Sequence, residues 1–230
     1  MREMTLTLAD QPNPWRQAVR SGMAMLLPHR LFMVAGPARS QQVCLTFDDG
    51  PHPELTPRLL DALAESQVRA TFFLIGREAA QYPSIVRRID AEGHLVGNHS
   101  WSHRTAHELT PSEFNDELQR TSSLLADLTG RDSRLFRPPH GKVTARQMCR
   151  AWISRQTIVL WNNDPKDFAQ STAGNLAGRM RKHPPRSGDI VLLHDNQPHS
   201  AAVLNDVVLE TRRRGLSFVT PADWLSDTNH

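Results

Sequence analysis

The sequence predicts an α/β domain built on a parallel sheet of about seven strands. From residue 42 onward, short β-prone apolar runs alternate with longer amphipathic segments, which is typical of parallel strands joined by helices. Polar side chains follow the strand candidates at their carboxyl ends. With 230 residues and 39% hydrophobic composition, the chain has enough apolar surface for one domain with its own core.

The strand candidates are short runs rich in β-branched and aromatic residues. In chain order they are 42–47, 69–75, 93–99, 133–138, 157–161, 189–194 and 216–220. The amphipathic helix candidates between them are 57–66, 83–92, 111–130, 145–152, 173–182 and 201–215. Thr110 with Glu113 forms a capping-box pattern ahead of the third helix, and Gly130 marks its end. Seven strands are too few for a complete eight-stranded barrel.

The α/β domain is expected to occupy residues 42–230, preceded by an extension at 1–41 for which helix is the expected local structure. Within the extension, residues 18–40 are faintly similar to a secretory signal, but the Pro-His-Arg break at 28–30 splits the apolar run. We therefore expect a cytoplasmic protein, with a secreted or periplasmic protein as the alternative. The sequence contains no run of 18 apolar residues, so no membrane span is predicted.

Charge and cysteine content exclude several classes of protein. The formal net charge is only +3, and no run of five or six like charges suggests a nucleic-acid partner. The chain has only two cysteines, Cys44 and Cys149, with no C-x-x-C and no paired spacing, which excludes a disulfide framework or a cysteine zinc knuckle.

The first polar group, Asp48-Asp49, follows the strand candidate at 42–47. Loops at the carboxyl ends of parallel strands converge on one face of a barrel, so the polar groups after five strands are expected to meet there. Asp, Gly and Pro are ordinary turn residues, and a plain turn is the alternative interpretation. Because adjacent residues leaving a strand point in different directions, one carboxylate can bind a metal while the other faces a water molecule.

Three histidines, His99, His103 and His107, are each four residues apart. This spacing predicts consecutive members on one side of a helical turn, within reach of one ion. The alternative is ordinary hydrogen bonding, since the chain has 11 histidines. Two imidazoles and one carboxylate suit zinc, with cobalt and nickel as alternatives, and leave a coordination position open, as catalytic sites require.

Three further polar residues have simple structural explanations when each is considered alone. His194 ends an apolar strand candidate and fits a core histidine. Arg137 and Asp167 fit a strand-end salt bridge and a turn.

In their order along the chain, however, these groups resemble the motifs of the polysaccharide deacetylases of carbohydrate esterase family four. The counterparts of that family's five motifs are TFDDG at 46–50, HSWSH at 99–103, RPPHG at 137–141, DPKDF at 164–168 and LLH at 192–194. The resemblance covers about residues 42 to 225. It implies a distorted (β/α) barrel with fewer than eight strands, and a catalytic domain at residues 42–230.

The resemblance also implies a catalytic role for each residue of the motifs. Asp48 would be the catalytic base, tethered by Arg137. His194 would be the general acid, oriented by Asp167. Asp49, His99 and His103 would bind one divalent metal, whereas His107 has no counterpart and is expected to be a surface residue.

Three more residues would contact the substrate by the same resemblance. Leu192 would line the pocket for the acetyl methyl, and the backbone N–H of His140 would help form the oxyanion hole. The family commonly has Pro-Tyr-Gly where this chain has His140, and Trp where it has Phe168. Phe168 keeps an aromatic wall without the indole donor, so the two departures bear on substrate range rather than on the chemistry.

The implied activity is metal-dependent hydrolysis of the N-acetyl group, or an O-acetyl group, of an acetylated sugar, oligosaccharide or polysaccharide, with release of acetate. One alternative is a metal amidase acting on a small linear or cyclic amide. Another is a sugar-binding relative without catalysis, although sugar binding alone would require neither Asp48 nor His194. The expected partner is an acetylated sugar such as a chitooligosaccharide, and the residues define no oligomeric state.

Overall fold

The computed structural model describes residues 6–7, 22–23, 26–170 and 172–226. Most of the segment predicted as a helical extension, 1–41, lies outside these residues. Its described part includes a strand at Phe32–Met33 that joins the main sheet. The remaining elements form the mostly parallel α/β arrangement that the sequence predicts.

The main sheet has eight strands, all paired in parallel. The strands described in the chain are β1 (Leu6–Thr7), β2 (Phe32–Met33), β3 (Gln42–Asp48), β4 (Thr71–Leu74), β5 (Leu95–Asn98), β6 (Leu135–Phe136), β7 (Lys142–Val143), β8 (Thr157–Val159), β9 (Ile190–His194) and β10 (Ser217–Val219). The order is β10-β3-β4-β5-β6-β8-β2, with β9 also paired to β3, while β1 and β7 form a separate antiparallel pair. All seven predicted strands are confirmed, and β2 is the eighth.

The sheet is not closed into a ring by a continuous ladder; instead, its ends meet at a seam between the chain after β8 and strand β9. One isolated parallel bridge joins Asn163 to Val191 there. The side chains of Asn162 and Asn163 donate hydrogen bonds to the two carboxylate oxygens of Asp189, at 2.8 and 2.9 Å. The arrangement is therefore an incomplete barrel, as the resemblance implied.

The six predicted helices are confirmed, and two short helices were not predicted. In chain order the described helices are α1 (Leu55–Ser66), α2 (Gly76–Gln81), α3 (Pro83–Ala91), α4 (Pro111–Thr129), α5 (Ala145–Ile153), α6 (Ala173–Lys182), α7 (Ser200–Arg213) and α8 (Pro221–Ser226). The capping box of Thr110 with Glu113 is present, and Gly130 ends α4 in the left-handed conformation. Within the described residues, no helix combines the length and apolar character that crossing a bilayer requires.

The two faces of β3 have different environments because successive side chains of a strand point in opposite directions. Val43, Leu45 and Phe47 pack into an apolar cluster shared with α1 and α7. Cys44 belongs to the second cluster, with residues of β2, β6 and β8. The same alternation places Thr46 and Asp48 on the face of Cys44, so the carboxylate at the end of β3 lies against this inner cluster.

Candidate active site

A cavity of about 290 Å³ opens where the strands end. It is lined by eight of the ten predicted site residues: Asp48, Asp49, His99, His103, His140, Phe168, Leu192 and His194. The other two, Arg137 and Asp167, are fully buried, and each contacts a residue of the cavity wall. The cavity is also lined by Trp161, Asp164 and Lys166, which the sequence reasoning missed.

Arg137 holds Asp48 from within the core. Its Nη1 donates to Asp48 Oδ1 at 2.6 Å and to Thr46 Oγ1 at 2.9 Å. Nε and Nη2 donate to the carbonyls of Val159 and Leu160 at the end of β8. Burial lowers the pKa of Arg137 and the charge of Asp48 opposes this change, but a guanidinium starts so high that it stays charged. The guanidinium of Arg137 therefore fixes Asp48 Oδ1, and Asp48 Oδ2 remains available to groups in the cavity.

Asp49, His99 and His103 bring one potential ligand atom each to within 4.8 Å of one another. Asp49 Oδ1 lies 3.1 Å from His103 Nε2 and 3.4 Å from His99 Nε2. His99 Nδ1 donates to the carbonyl of Arg137 at 2.7 Å, which leaves Nε2 as the atom facing the cluster. This support of an imidazole by a backbone carbonyl is typical of metal-binding histidines.

The cluster fits a divalent cation. Asp49 Oδ1 is buried and accepts no aligned hydrogen bond from the described residues, so an oxygen with free lone pairs faces two imidazole nitrogens. Burial alone would raise the pKa of Asp49, but the close His103 and His99 imidazoles bring that pKa well below its usual range. The carboxylate is therefore ionised, which is the form that binds a cation.

The backbone of this cluster corrects one sequence expectation. The spacing of His99, His103 and His107 predicted a helical turn, but residues 99–110 form no helix. Ser100 and His103 adopt left-handed backbone conformations, with φ of 64° and 61°, and these turns bring His103 back beside His99. His107 is exposed and does not belong to the cluster.

His194 is held by Asp167 as Asp48 is held by Arg137. His194 Nδ1 and the His194 backbone N–H donate to the two oxygens of Asp167, each at 2.7 Å. Ser200 Oγ donates to the same carboxylate at 3.0 Å. Burial would lower the pKa of His194, but the hydrogen bond and charge of Asp167 raise it to about 9. His194 is therefore an imidazolium at neutral pH, with Nε2 as its remaining donor.

The remaining predicted residues form the wall of the cavity. Leu192 is buried at its floor, whereas Phe168 is 54% exposed at its rim and meets the His194 ring edge to face at 5.6 Å. The His140 ring packs on His103 at 4.8 Å, and the His140 backbone is left-handed with φ of 55°. The cavity thus combines an apolar floor, an aromatic rim and the charged groups between them.

The residues that were missed differ in whether the sequence offered a signal for them. Trp161 lies two residues after the end of β8, and its position as the last residue of the predicted strand TIVLW was the available signal. Lys166, 2.9 Å from Asp164, follows the same strand within DPKDF. Asp195, directly after His194, is 1% exposed, and burial together with the charges of nearby carboxylates raises its pKa to about 7. A buried carboxyl at this place is visible only in three dimensions.

An incomplete parallel barrel with ionisable groups gathered at the carboxyl ends of its strands has the arrangement of an α/β-barrel enzyme, in which the active site lies at this face. The family model for polysaccharide deacetylase matches residues 35–151. A peptidoglycan-N-acetylglucosamine deacetylase of Bacillus cereus is 33% identical over 195 residues, which cover 82% of this chain and 70% of that protein. The chain belongs to the polysaccharide deacetylase family.

Two further similarities support the same assignment. A chitooligosaccharide deacetylase of Azorhizobium caulinodans is 35% identical over 166 residues, which cover 72% of this chain and 79% of that protein. The crystal structure of the Bc1960 peptidoglycan N-acetylglucosamine deacetylase matches with a TM-score of 0.78 and 33% identity, covering 83% of this chain and 90% of that one. The relatives therefore act as deacetylases on two kinds of acetylated carbohydrate.

Proposed function

We propose that this chain hydrolyses the N-acetyl group of an acetylated sugar residue within an oligosaccharide or polysaccharide and releases acetate. The observation that carries the proposal is the arrangement in one cavity of three elements. These are a carboxylate fixed by a buried arginine, an imidazolium fixed by a buried carboxylate, and the Asp49, His99 and His103 cluster. Amide hydrolysis requires a base for the attacking water and an acid for the leaving nitrogen.

Asp49, His99 and His103 would hold one divalent metal, and their donor set favours zinc, with cobalt or nickel as alternatives. Such an ion, when bound, polarises an amide carbonyl and makes water more acidic. The three ligands found among the described residues would leave a coordination position open.

Asp48 and His194 divide the proton transfers. Asp48 Oδ2 is the acceptor, because Arg137 occupies Oδ1, and it takes the proton of the attacking water. His194, protonated because its pKa is about 9, donates from Nε2 to the amide nitrogen and makes it a better leaving group. Asp167 keeps the imidazole in the orientation that leaves Nε2 free to donate.

The cavity wall would select the acetamido group and the sugar ring. Leu192 and Trp161 provide an apolar surface for the acetyl methyl. Phe168 offers an exposed aromatic face to a sugar ring at the rim. Lys166 and Asp164 form an ion pair beside the Phe168 ring, where substituents of the sugar are expected.

The test is acetate release from chitooligosaccharides, peptidoglycan fragments and acetylated xylan, each measured with and without a metal chelator. We expect acetate from at least one amide-bearing carbohydrate, loss of activity after chelation, and recovery on adding zinc. Small linear and cyclic amides serve as comparison substrates. Activity confined to those amides would replace this proposal with the amidase alternative, and binding of sugars without acetate release would indicate a non-catalytic relative.

A further inference from the structure

Asp195 is a buried carboxyl group that the proposed chemistry does not use. It follows His194 at the end of β9 and is 1% exposed. Its Oδ2 accepts a hydrogen bond from Thr56 Oγ1 at 2.7 Å. Its Oδ1 is buried and has no hydrogen-bond partner among the described residues. A carboxyl group in this environment costs free energy, so its place next to the cavity calls for a physical explanation.

The carboxylate of Asp195 fills the space beside Gly50. A Cβ atom added to Gly50 would lie 1.8 Å from Asp195 Oδ2 and 2.3 Å from Oδ1. The backbone of Gly50 is not in the left-handed region, so conformation alone does not require glycine there. Glycine is needed because the Asp195 side chain lies directly against the backbone that follows Asp49.

Asp195 contacts the chain on both sides of Asp49. Its backbone N–H donates to the carbonyl of Asp48 at 3.1 Å, and its side chain packs on Gly50. Thr56 extends this contact, because Thr56 Oγ1 donates to Asp195 and accepts from the backbone N–H of His52 at 2.7 Å. The turn that carries Asp49 is therefore held to β9 and to the start of α1 through one side chain.

Asp49 needs such support because its backbone is strained. Its φ is 77°, a left-handed conformation that a residue with a Cβ adopts at a cost in free energy and keeps only where its surroundings enforce it. In this conformation Asp49 Oδ1 lies within 3.4 Å of both His99 and His103. A relaxed backbone would direct the carboxylate elsewhere.

We infer that Asp195 is a positioning residue for the metal cluster: by packing on Gly50 and binding Thr56, it holds Asp49 in the left-handed turn that aims its carboxylate at His99 and His103. The inference rests on the proposed role of Asp49 as a metal ligand. It assigns to Asp195 an effect on metal affinity through shape, not through direct contact with the ion or the substrate.

The test is zinc affinity, measured by competition with a chromophoric chelator, together with thermal unfolding of the metal-free chain. Asp195→Ala is expected to weaken zinc binding about 10- to 100-fold, the range seen when the groups supporting a ligand are removed. Asp195→Asn should stay within about threefold of the wild type, because the amide fits the same space and its oxygen still accepts from Thr56. This rescue by the variant of matching shape distinguishes positioning from charge.

Two further variants keep the test decisive. Thr56→Val removes the hydroxyl that links Asp195 to His52 and should weaken zinc binding in the same direction, which covers the case in which Asp195→Ala does not fold. Thr211→Val is the matched control. Its hydroxyl is also buried and donates to Val207 within α7, so this change should lower thermal stability and leave zinc affinity unaltered.

Three results would overturn the inference: wild-type zinc affinity in Asp195→Ala, an Asp195→Asn protein as weak as Asp195→Ala, or unchanged affinity in Thr56→Val. Failure of the proposed metal site itself is distinguishable. In that case His99→Ala would keep wild-type zinc affinity, whereas the inference alone fails if His99→Ala loses zinc and Asp195→Ala does not.

Discussion

Asp48 and His194 are register partners at the carboxyl ends of the neighbouring parallel strands β3 and β9. The proposed base and the proposed acid are therefore held at a fixed separation by a backbone ladder that runs through five residue pairs, from Cys44 with Ile190 to Asp48 with His194. Each side chain is then fixed by one buried partner, Arg137 or Asp167. The two groups are set by the fold before any substrate arrives.

Removing the base should separate turnover from metal binding. Asp48→Asn keeps an oxygen for Arg137 but cannot take a proton, so we expect acetate release to fall by ~10²–10⁴-fold while metal content stays at one ion per chain. The measurements are initial rates and metal analysis of the same sample. Asp61→Asn, an exposed carboxylate paired with Arg88, is the control. Near wild-type turnover in Asp48→Asn with its metal bound would refute the assignment.

Substituting Asp49 or the two histidines beside it should reduce metal binding, in contrast to substituting Asp48. Asp49→Asn, His99→Ala and His103→Ala each remove a proposed ligand, so metal content after dialysis should fall together with activity. His107→Ala is the natural control, because this exposed histidine lies outside the cluster. If the two histidine variants both retain about one ion per chain, the ligand set is wrong.

The pH profile should report the His194–Asp167 pair. A general acid with pKa about 9 is protonated below that pH, so activity should decline as the pH rises through that value, which gives the alkaline limb of a bell-shaped profile. Asp167→Asn removes the charge that raises this pKa, and burial then lowers it, so the limb should move to lower pH. Ser200→Ala removes a neutral donor to Asp167 and should shift the limb far less. An unchanged limb in Asp167→Asn would contradict the role of His194.

Arg137 should be required for folding as well as for catalysis. Arg137→Met would leave Asp48 as a buried carboxylate without its cation, and breaking a buried pair from one side typically costs about 3–5 kcal/mol. Urea unfolding of the metal-free chain measures this loss. Arg131→Met, at an exposed arginine 3.6 Å from Asp90, should change stability by less than about 0.5 kcal/mol. A comparably small effect at Arg137 would mean that Asp48 gains little from the pair.

Phe168 should affect substrate binding more than chemistry. Phe168→Ala removes the exposed aromatic face, and we expect KM to rise about 2- to 10-fold with kcat nearly unchanged. Phe168→Trp should preserve or lower KM, since the larger ring offers the same face and adds an indole donor. Leu209→Ala, an exposed apolar change on α7, is the control. A fall in kcat without a change in KM would assign Phe168 to the reacting centre instead.

The sequence predicted the strand-and-helix order and eight residues that line the cavity, but not Asp164 and Lys166, although both lie within the DPKDF motif. The strands could be predicted because they are rich in β-branched and aromatic residues. The site residues could be predicted because the loops at the carboxyl ends of parallel strands lie on one face of the barrel. The spacing of His99 and His103 correctly predicted that the two side chains lie together. The predicted helical turn was wrong, because left-handed conformations at Ser100 and His103 bring the two side chains together instead. β2 was missed because a two-residue strand has no periodicity to detect.

Local sequence patterns did not predict which site residues are buried or which groups their side chains contact. The motif that contains Arg137 indicates a role for this residue but not that its guanidinium lies fully within the core, donating to carbonyls of another strand. Asp195 and Thr56 are separated by 139 positions in the chain, and only the β3–β9 pairing brings them together. Such long-range contacts follow from the completed fold, not from spacing along the sequence.

The seam between the chain after β8 and strand β9 has far less backbone pairing than the rest of the sheet around β9. The two sides there share one isolated bridge and the amide groups that bind Asp189, whereas β3 and β9 share a full ladder. Three backbone hydrogen bonds cross the seam, from Asn162 and Asn163 to Ile190 and from Leu192 to Asn163. Asp167, directly before Phe168, also binds His194 of β9 through both carboxylate oxygens. The position of the cavity wall that carries Trp161 and Phe168 therefore depends largely on side-chain hydrogen bonds, whereas the spacing of Asp48 and His194 depends on the backbone ladder between β3 and β9.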